Sequence, residues 1–295
     1  MTSTFRCSDA ARAEGVDLVG TAGSYTDFLL VEHPLPWPRK AKEVLKVRSP
    51  KGREVRVQLV VGPDGEVPAL RRVVHWQRDP GRPFDGFRRA EVAVEPDDVR
   101  PACDELLAGA VPPAAAALRD VLVCTHGNRD RCCGRLGILA LATLAEPPAD
   151  VRLWRTSHTG GHRFAPTGIT FPDGVFWGYL DDGALDHVIA RTADLRANFR
   201  GCSGLDSPAA QAVDREAFSH FGWDWLATPR AAVTTGDEVE LGSDGRTIRA
   251  TVEVARHVPV LDCGVEPTGK EKRQPELRVV RFDIRSGPQI TPPAA

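Results

Sequence analysis

The sequence has no long apolar segment, no long basic run and no Cys-x-x-Cys motif. No stretch is apolar over the roughly 20 residues that a membrane-spanning helix needs, and the first residues lack the charged start and apolar core of a secretory signal. The 38 basic residues are balanced by 40 acidic ones, so phosphate-driven nucleic-acid binding is not expected. We therefore expect a cytoplasmic protein that binds neither membrane nor nucleic acid.

Cysteine is scarce and odd in number, with seven thiols in 295 residues. Cysteines that are so few and so widely spread are not typical of a disulfide framework, and they indicate reduced thiols. Cys7, Cys103, Cys202 and Cys263 stand far apart in the sequence, and we expect them to be isolated, buried or half-buried thiols. The other three cysteines fall close together, and the chemistry is expected there.

Length and composition indicate two lobes, or one domain with an appendage. With 42% hydrophobic and 26% charged residues, the chain can form a globular core. Patterning predicts the order β-α-β-β-β-α twice, in an N-terminal α/β lobe (1–108) and in a second unit (118–200) with a thioredoxin-like layout. The stretch 109–117 is the predicted linker, and 201–295 is a predicted extension of a helix and strands. The fold class is therefore α/β or α+β, and the shared order suggests a degenerate repeat.

Two short segments of the second unit combine cysteine, histidine and glycine. The first, CTHGNRDRCCG, covers 124–134, and the second, SHTGGHR, covers 157–163. Cysteine and histidine are side chains that bind zinc or iron, and glycines let the backbone fold closely around a small group. The sequence therefore predicts a metal ion or an iron–sulfur cluster.

The predicted strands bring these two segments together. Cys124 ends the predicted strand Asp120–Cys124, and His158 follows the predicted strand Val151–Arg155. Because the carboxyl ends of neighbouring parallel strands meet at one edge of a sheet, the loops after both strands are expected to converge. A cysteine pair and a histidine pair can then face one point.

These strings resemble those of a known family. Together with WRTSHTGGHRFA (154–165) and GVFWGYL (174–180), the first segment is similar to the sucrase/ferredoxin-like family over residues 118–200. Members of that family are thioredoxin-like ferredoxins in which two cysteines and two histidines hold a [2Fe–2S] cluster outside the Rieske fold. The resemblance therefore implies the same cofactor here.

The resemblance implies Cys124, Cys133, His158 and His162 as the cluster ligands. Cys132 adjoins Cys133, and two adjacent cysteines rarely bind the same iron. We prefer Cys133 because it directly precedes glycine, as in the family pattern. Cys132 is then expected to be a spectator.

Four other side chains of the two segments are candidates for supporting roles. His126 is expected to be a hydrogen-bonding neighbour of the cluster, or an exposed side chain, rather than a ligand. Arg129, Asp130 and Arg163 either orient an imidazole or form ordinary surface ion pairs.

The ligand set predicts a one-electron carrier or redox sensor rather than an enzyme with its own substrate. Two thiolates and two neutral imidazoles leave an oxidised cluster near neutral, so its reduction potential should exceed that of a four-cysteine ferredoxin. Metal-bound imidazoles can lose an outer proton, which would make that potential depend on pH. No Gly-x-Gly-x-x-Gly fingerprint occurs, so electrons are expected to come from an unidentified protein partner or a small reductant.

Two alternatives stay open at this point. Two cysteines and two histidines also suit a structural zinc ion, although the spacing of the cysteines exceeds the usual two to four residues. A thiol redox enzyme on a thioredoxin-like scaffold would use Cys132 or Cys133 as its nucleophile. That interpretation leaves the histidine pair without a role.

Overall fold

The protein has a mixed α/β structure with two β-sheets. The computed structural model describes residues 4–114, 118–181, 183–243 and 245–286. These residues contain five α-helices, a nine-stranded mixed sheet and a four-stranded antiparallel sheet. The predicted fold class is therefore confirmed. In the part of the chain so described, no helix has the length and apolar run needed to cross a bilayer.

Short helices alternate with strands along most of the chain. The helices are α1 Cys7–Ala13, α2 Val99–Leu107, α3 Arg131–Ala142, α4 Ala184–Ala190 and α5 Pro208–Phe221. The strands are β1 Asp27–Glu32, β2 Val55–Val61, β3 Arg71–Gln77, β4 Arg88–Val94, β5 Arg119–Cys124, β6 Val151–Thr156, β7 Gly168–Phe171, β8 Val175–Trp177, β9 Phe199–Cys202, β10 Arg230–Thr235, β11 Glu238–Ser243, β12 Arg246–Pro259 and β13 Arg273–Ser286.

The large sheet has the strand order β4-β3-β1-β2-β6-β5-β7-β8-β9. β1 is parallel to β2 and β5 is parallel to β6, whereas the other neighbouring pairs are antiparallel. Strands β1–β4 and β5–β8 therefore repeat one topology, joined edge to edge through β2 and β6. This agrees with the repeated order that the sequence predicts. The division into lobes at 109–117 stays a prediction, and its residues 115–117 lie outside the described part.

Two apolar layers form because side chains along β1 alternate between the faces of the sheet. Phe28 and Leu30 face the larger core, which also takes residues from β5–β9 and α5. Leu29 and Val31 face a smaller core with α2. The strands that carry the motif segments are therefore anchored in the larger core.

Helix α3 begins at Arg131, before the position Leu136 that pattern alone predicts. Asp130 caps it, because its carboxylate accepts a hydrogen bond from the backbone N of Cys133 at 3.0 Å. The glycines in its first turns lower helix propensity, so the sequence pattern does not indicate a helix there. Cys132 and Cys133 therefore lie on a helix rather than in the loop before it.

Asp27 in β1 is the centre of a buried ion-pair network. Its carboxylate accepts hydrogen bonds from Nε2 of His75 at 2.7 Å, Nε of Arg53 at 2.8 Å and the hydroxyl of Thr26. Burial alone would raise the pKa of Asp27, but these hydrogen bonds lower it from 3.8 to about 2. A carboxylate with a lowered folded-state pKa stabilises the fold above its unfolded pKa. That contribution, about 2 kcal/mol, is lost as the pH falls from about 4 to 2.

Asp27→Asn is expected to lower the free energy of unfolding by about 3 kcal/mol at neutral pH, since it leaves buried partners without their counter-charge. The deficit should shrink as the pH falls toward 2, where the wild-type carboxylate is also protonated. Urea denaturation across this pH range measures both effects. Asp150→Asn is the matched control, because Asp150 pairs with Arg119 but its side chain is 53% exposed. Equal losses in the two variants would contradict the prediction.

Candidate metal centre

The two motif segments begin at the same edge of the large sheet. Cys124, the last residue of β5, lies opposite Thr156, the last residue of the parallel strand β6. The backbone N of Thr125 donates to the carbonyl oxygen of Thr156 at 3.1 Å, so the two loops start side by side. They converge as the sequence predicts.

Close glycine contacts hold the loop after β5 against α3. A Cβ atom on Gly137 would lie 2.0 Å from the carbonyl oxygen of Cys124, and one on Gly134 would lie 2.5 Å from Cα of Gly127. Both distances are far below van der Waals contact, so only glycine fits at these two helix positions. This packing brings Cys133 on α3 next to Cys124.

Cys124, Cys133 and His158 form one group of candidate ligands. Their two sulfurs and one imidazole nitrogen all lie within 4.8 Å of one another. Both cysteines are 0% exposed. Nδ1 of His158 is also buried, and no described residue offers it a hydrogen bond. A buried imidazole nitrogen without a partner is costly, and binding a metal is one way in which such a nitrogen is satisfied.

The two buried thiols of this group shift each other's pKa in opposite directions. The hydrogen bond between them lowers the pKa of Cys124 well below its usual range and raises that of Cys133 well above it. The nearby imidazole of His158 also lowers the pKa of Cys124. Cys124 is therefore the thiol of the pair that ionises more easily, and both thiols would release their protons on binding a metal.

His162 lies beside this group rather than within it. Its ring centroid is 5.7 Å from that of His158. Its Nδ1 lies 3.1 Å from Oδ2 of Asp130, and its Nε2 lies 3.1 Å from Oδ1 of Asp262. The two glycines between the histidines have positive φ angles, 86° and 65°, which allow the tight turn. The structure thus brings three of the four predicted ligands together and places the fourth beside them, between two carboxylates.

Two polar side chains hold the backbone of His158. Nδ1 of His126 accepts a hydrogen bond from the backbone N of His158 at 3.2 Å, so its Nε2 carries the proton that is donated to the carbonyl oxygen of Pro38 at 2.9 Å. Burial lowers the pKa of His126 and keeps it neutral. Arg56 donates to the carbonyl oxygen of His158 at 2.6 Å. His126 is therefore a positioning residue. Arg56 gave no sequence signal, because only the pairing of β2 with β6 brings it here.

A second group of thiols lies next to the first. Sγ of Cys263 is 2.9 Å from Sγ of Cys132 and 3.2 Å from Sγ of Cys7. Oδ2 of Asp130 lies 3.8 Å from Sγ of Cys7. The expectation that Cys7 and Cys263 are isolated thiols is therefore wrong, since the fold joins them across 256 positions of sequence. A contact over such a distance leaves no local pattern to read.

The remaining cysteines and charged candidates have simpler surroundings. Cys103 lies in the smaller core and Cys202 in the larger one, where burial raises the pKa of each to about 12. Of the charged residues that the sequence singles out, Asp130 contacts an imidazole, as described. Arg163 is buried, with its guanidinium 4.4 Å from the ring centroid of Phe164.

A cavity of about 710 Å³ opens beside His158. Its lining is rich in basic side chains: Arg39, Lys40, Lys46, Arg56 and Arg129. Glu43 is the acidic residue of this lining. The approach to the candidate ligands is therefore positively charged.

Comparison with known proteins adds one match. A family model described as sucrase/ferredoxin-like matches residues 18–201, which include both motif segments but neither Cys7 nor Cys263. No curated protein and no solved structure gives a significant match. Because the family model spans more than half of the 295 residues and covers the strands, loops and helix that build the centre, this chain belongs to the sucrase/ferredoxin-like family.

Proposed function

We propose that the protein is an electron carrier or redox sensor in which Cys124, Cys133, His158 and His162 hold a [2Fe–2S] cluster. The observation that carries the proposal is the group formed by two fully buried thiols and the imidazole of His158, whose buried Nδ1 has no partner among the described residues. Two thiols and two imidazoles also match the donor set of Rieske-type clusters. When bound, such a cluster would accept and return one electron.

The position of His162 suits a two-iron group. In Rieske centres two histidines replace two cysteines on one of the two irons. The histidines therefore need not lie at single-ion distance from the thiols, and rings 5.7 Å apart can serve the same iron. Oδ2 of Asp130, 3.1 Å from Nδ1 of His162, would orient that ring and accept its outer proton.

Fixed positive charge near the loop favours the reduced state of the centre. Arg200 is buried and donates to the carbonyl oxygen of Gly160 at 3.1 Å, and Arg56 donates to that of His158. Burial lowers the pKa of Arg200 to about 9, so it stays charged at neutral pH. Cations at these positions stabilise an added electron and should raise the reduction potential.

A zinc ion is the alternative occupant. The grouping of Cys124, Cys133 and His158 within 4.8 Å would suit one tetrahedral ion with an open fourth position. Zinc would make the centre structural or hydrolytic and not redox-active. The contents of iron and acid-labile sulfide distinguish the cluster from a zinc ion.

The test is the visible spectrum of anaerobically purified protein together with its iron, acid-labile sulfide and zinc contents. The proposal expects a coloured protein with about two irons and two sulfides per chain. A colourless protein that takes up zinc but no iron during reconstitution with ferrous iron and sulfide would overturn it.

His158→Cys is expected to retain a cluster but to lower its reduction potential by on the order of 100 mV or more, because a third thiolate adds negative charge. The pH dependence of the potential should also weaken, since one ionisable imidazole is gone. A redox titration followed by electron paramagnetic resonance measures both. The exposed His187 offers a control, His187→Cys, which should leave the potential unchanged. A potential equal to that of the wild type would exclude His158 as a ligand.

We infer that the redox partner presents an acidic surface to the basic cavity beside His158. Small oxidants test this charge preference without the partner: anionic ferricyanide should oxidise the reduced protein several-fold faster in low salt than in high salt, and cationic cobalt hexammine should not. Lys40→Glu should weaken the salt effect. Arg278→Glu is the control, because Arg278 is exposed on β13 and does not line this cavity. Equal salt effects in the two variants would contradict the inference.

A further inference from the structure

We propose that Cys7, Cys132, Cys263 and Asp130 form a second metal site, which binds one zinc ion. This site shares no ligand with the proposed cluster, although Nδ1 of His162 lies 3.2 Å from Sγ of Cys7. Two of its cysteines, Cys7 and Cys263, lie outside the residues that the family model matches.

The four donor atoms lie close enough together to surround one metal ion. Their sulfurs and carboxylate oxygen all lie within 4.8 Å of one another. The sulfur of Cys263 is 2.9 Å from that of Cys132 and 3.2 Å from that of Cys7. Around a zinc ion with Zn–S bonds of about 2.3 Å, tetrahedral sulfurs lie about 3.8 Å apart. The thiols would therefore need to separate by less than about 1 Å, a change that side-chain rotation supplies.

The donor types select zinc. Three thiolates form a soft, sulfur-rich set, and the carboxylate of Asp130 adds one hard oxygen, a combination that zinc accepts readily. A disulfide would use only two of the three sulfurs and leave the third beside a carboxylate. Cys7 and Cys132 are buried, whereas Cys263 is half-exposed and gives the ion a path from solvent.

The second site would tie together three segments that are distant in sequence. Cys7 lies in α1, Cys132 at the start of α3, and Cys263 in the loop between β12 and β13. Chain closure over such long segments removes entropy from the unfolded state, so an ion that links them stabilises the fold. The ion would thereby fasten α1 and the β12–β13 loop to the start of α3.

Asp130 connects this site to the cluster ligands. Its Oδ1 accepts from the backbone N of Cys133 at 3.0 Å, and its Oδ2 lies 3.1 Å from Nδ1 of His162. A zinc ion held by Asp130 would fix that carboxylate and, through it, the start of α3 and the ring of His162. The second site would therefore help to hold Cys133 and His162 in position.

Metal analysis of the full-length protein and two matched variants tests the proposal. The wild type, purified under reducing conditions and given zinc, should hold about one zinc per chain after desalting. Cys263→Ala should reduce that content at least tenfold, whereas iron and sulfide contents should fall much less, because all four proposed cluster ligands remain. Cys103→Ala, which removes a single buried thiol of the smaller core, should keep the zinc.

Two outcomes would overturn the proposal: a wild type that retains no zinc under these conditions, or Cys263→Ala retaining as much zinc as Cys103→Ala. Alkylation and mass spectrometry of the unreduced protein provide the second readout, since zinc-bound thiols become reactive only after chelation. A stable disulfide between Cys132 and Cys263 would count against the site. Iron content reports the proposed cluster independently, so failure of one proposal is distinguishable from failure of the other.

Discussion

Replacing Cys133 by serine is expected to abolish iron binding, whereas the same change at the adjacent Cys132 should leave the iron in place. Both side chains are buried in the first turn of α3, yet they face different groups. Cys133 belongs to the group with Cys124 and His158, and Cys132 to the group with Cys7 and Cys263. Loss of a thiolate from a mixed cluster site removes one of only four bonds from protein to iron, so iron content should fall from about two per chain to nearly none.

The measurement is iron and sulfide content with the visible spectrum for both variants, purified side by side. Folding of Cys133→Ser is expected to persist, because serine is close to cysteine in size and shape. Far-ultraviolet circular dichroism checks this point. Iron loss in the Cys132 variant alone would move the ligand assignment by one residue and would contradict the grouping seen in the structure.

Local sequence pattern predicts the two strands of the candidate site and the sheet edge at which its loops meet. Apolar strands that end at Cys124 and Arg155, separated by one helix, are typical of a parallel β-α-β unit, so the two motif loops are expected to meet, and the structure has β5 parallel to β6. The sequence pattern places the start of α3 too late, because the glycines that follow its cap, Asp130, lower the helix propensity of the first turns. Propensity misleads where packing demands glycine, as it does at Gly137.

Long-range contacts set the limit of prediction. Nothing near Cys7 or Cys263 in the sequence distinguishes either from a buried spectator, and only the packing of α1 and of the β12–β13 loop brings them together. The pairing of His162 with Asp130 and Asp262 has the same origin. Such features depend on tertiary arrangement, whereas strand order and motif position depend on local periodicity.

Gly137→Ala is expected to destabilise the fold and to loosen the metal centre together. The new methyl group would lie 2.0 Å from the carbonyl oxygen of Cys124, a backbone atom of β5 that cannot rotate away. Alanine gains about 1 kcal/mol of helix propensity over glycine. Overpacking of this kind costs about 1–3 kcal/mol and occasionally more, and contact with fixed backbone places this site at the upper end. We therefore expect a net loss of stability of about 2 kcal/mol and a lower midpoint of thermal unfolding.

The same clash separates the two thiols of the centre, because α3 carries Cys133 and β5 carries Cys124. Iron retention during dialysis against a chelator should therefore fall along with the unfolding midpoint, and the two measurements together distinguish this variant from simple core damage elsewhere. Gly127→Ala, in the loop that packs against α3, is the matched control, since its methyl group would meet its nearest atom, Cα of Gly134, at 3.7 Å, an ordinary contact. If both variants kept wild-type stability and iron, the close approach of α3 to β5 would not be what holds Cys124 and Cys133 in place.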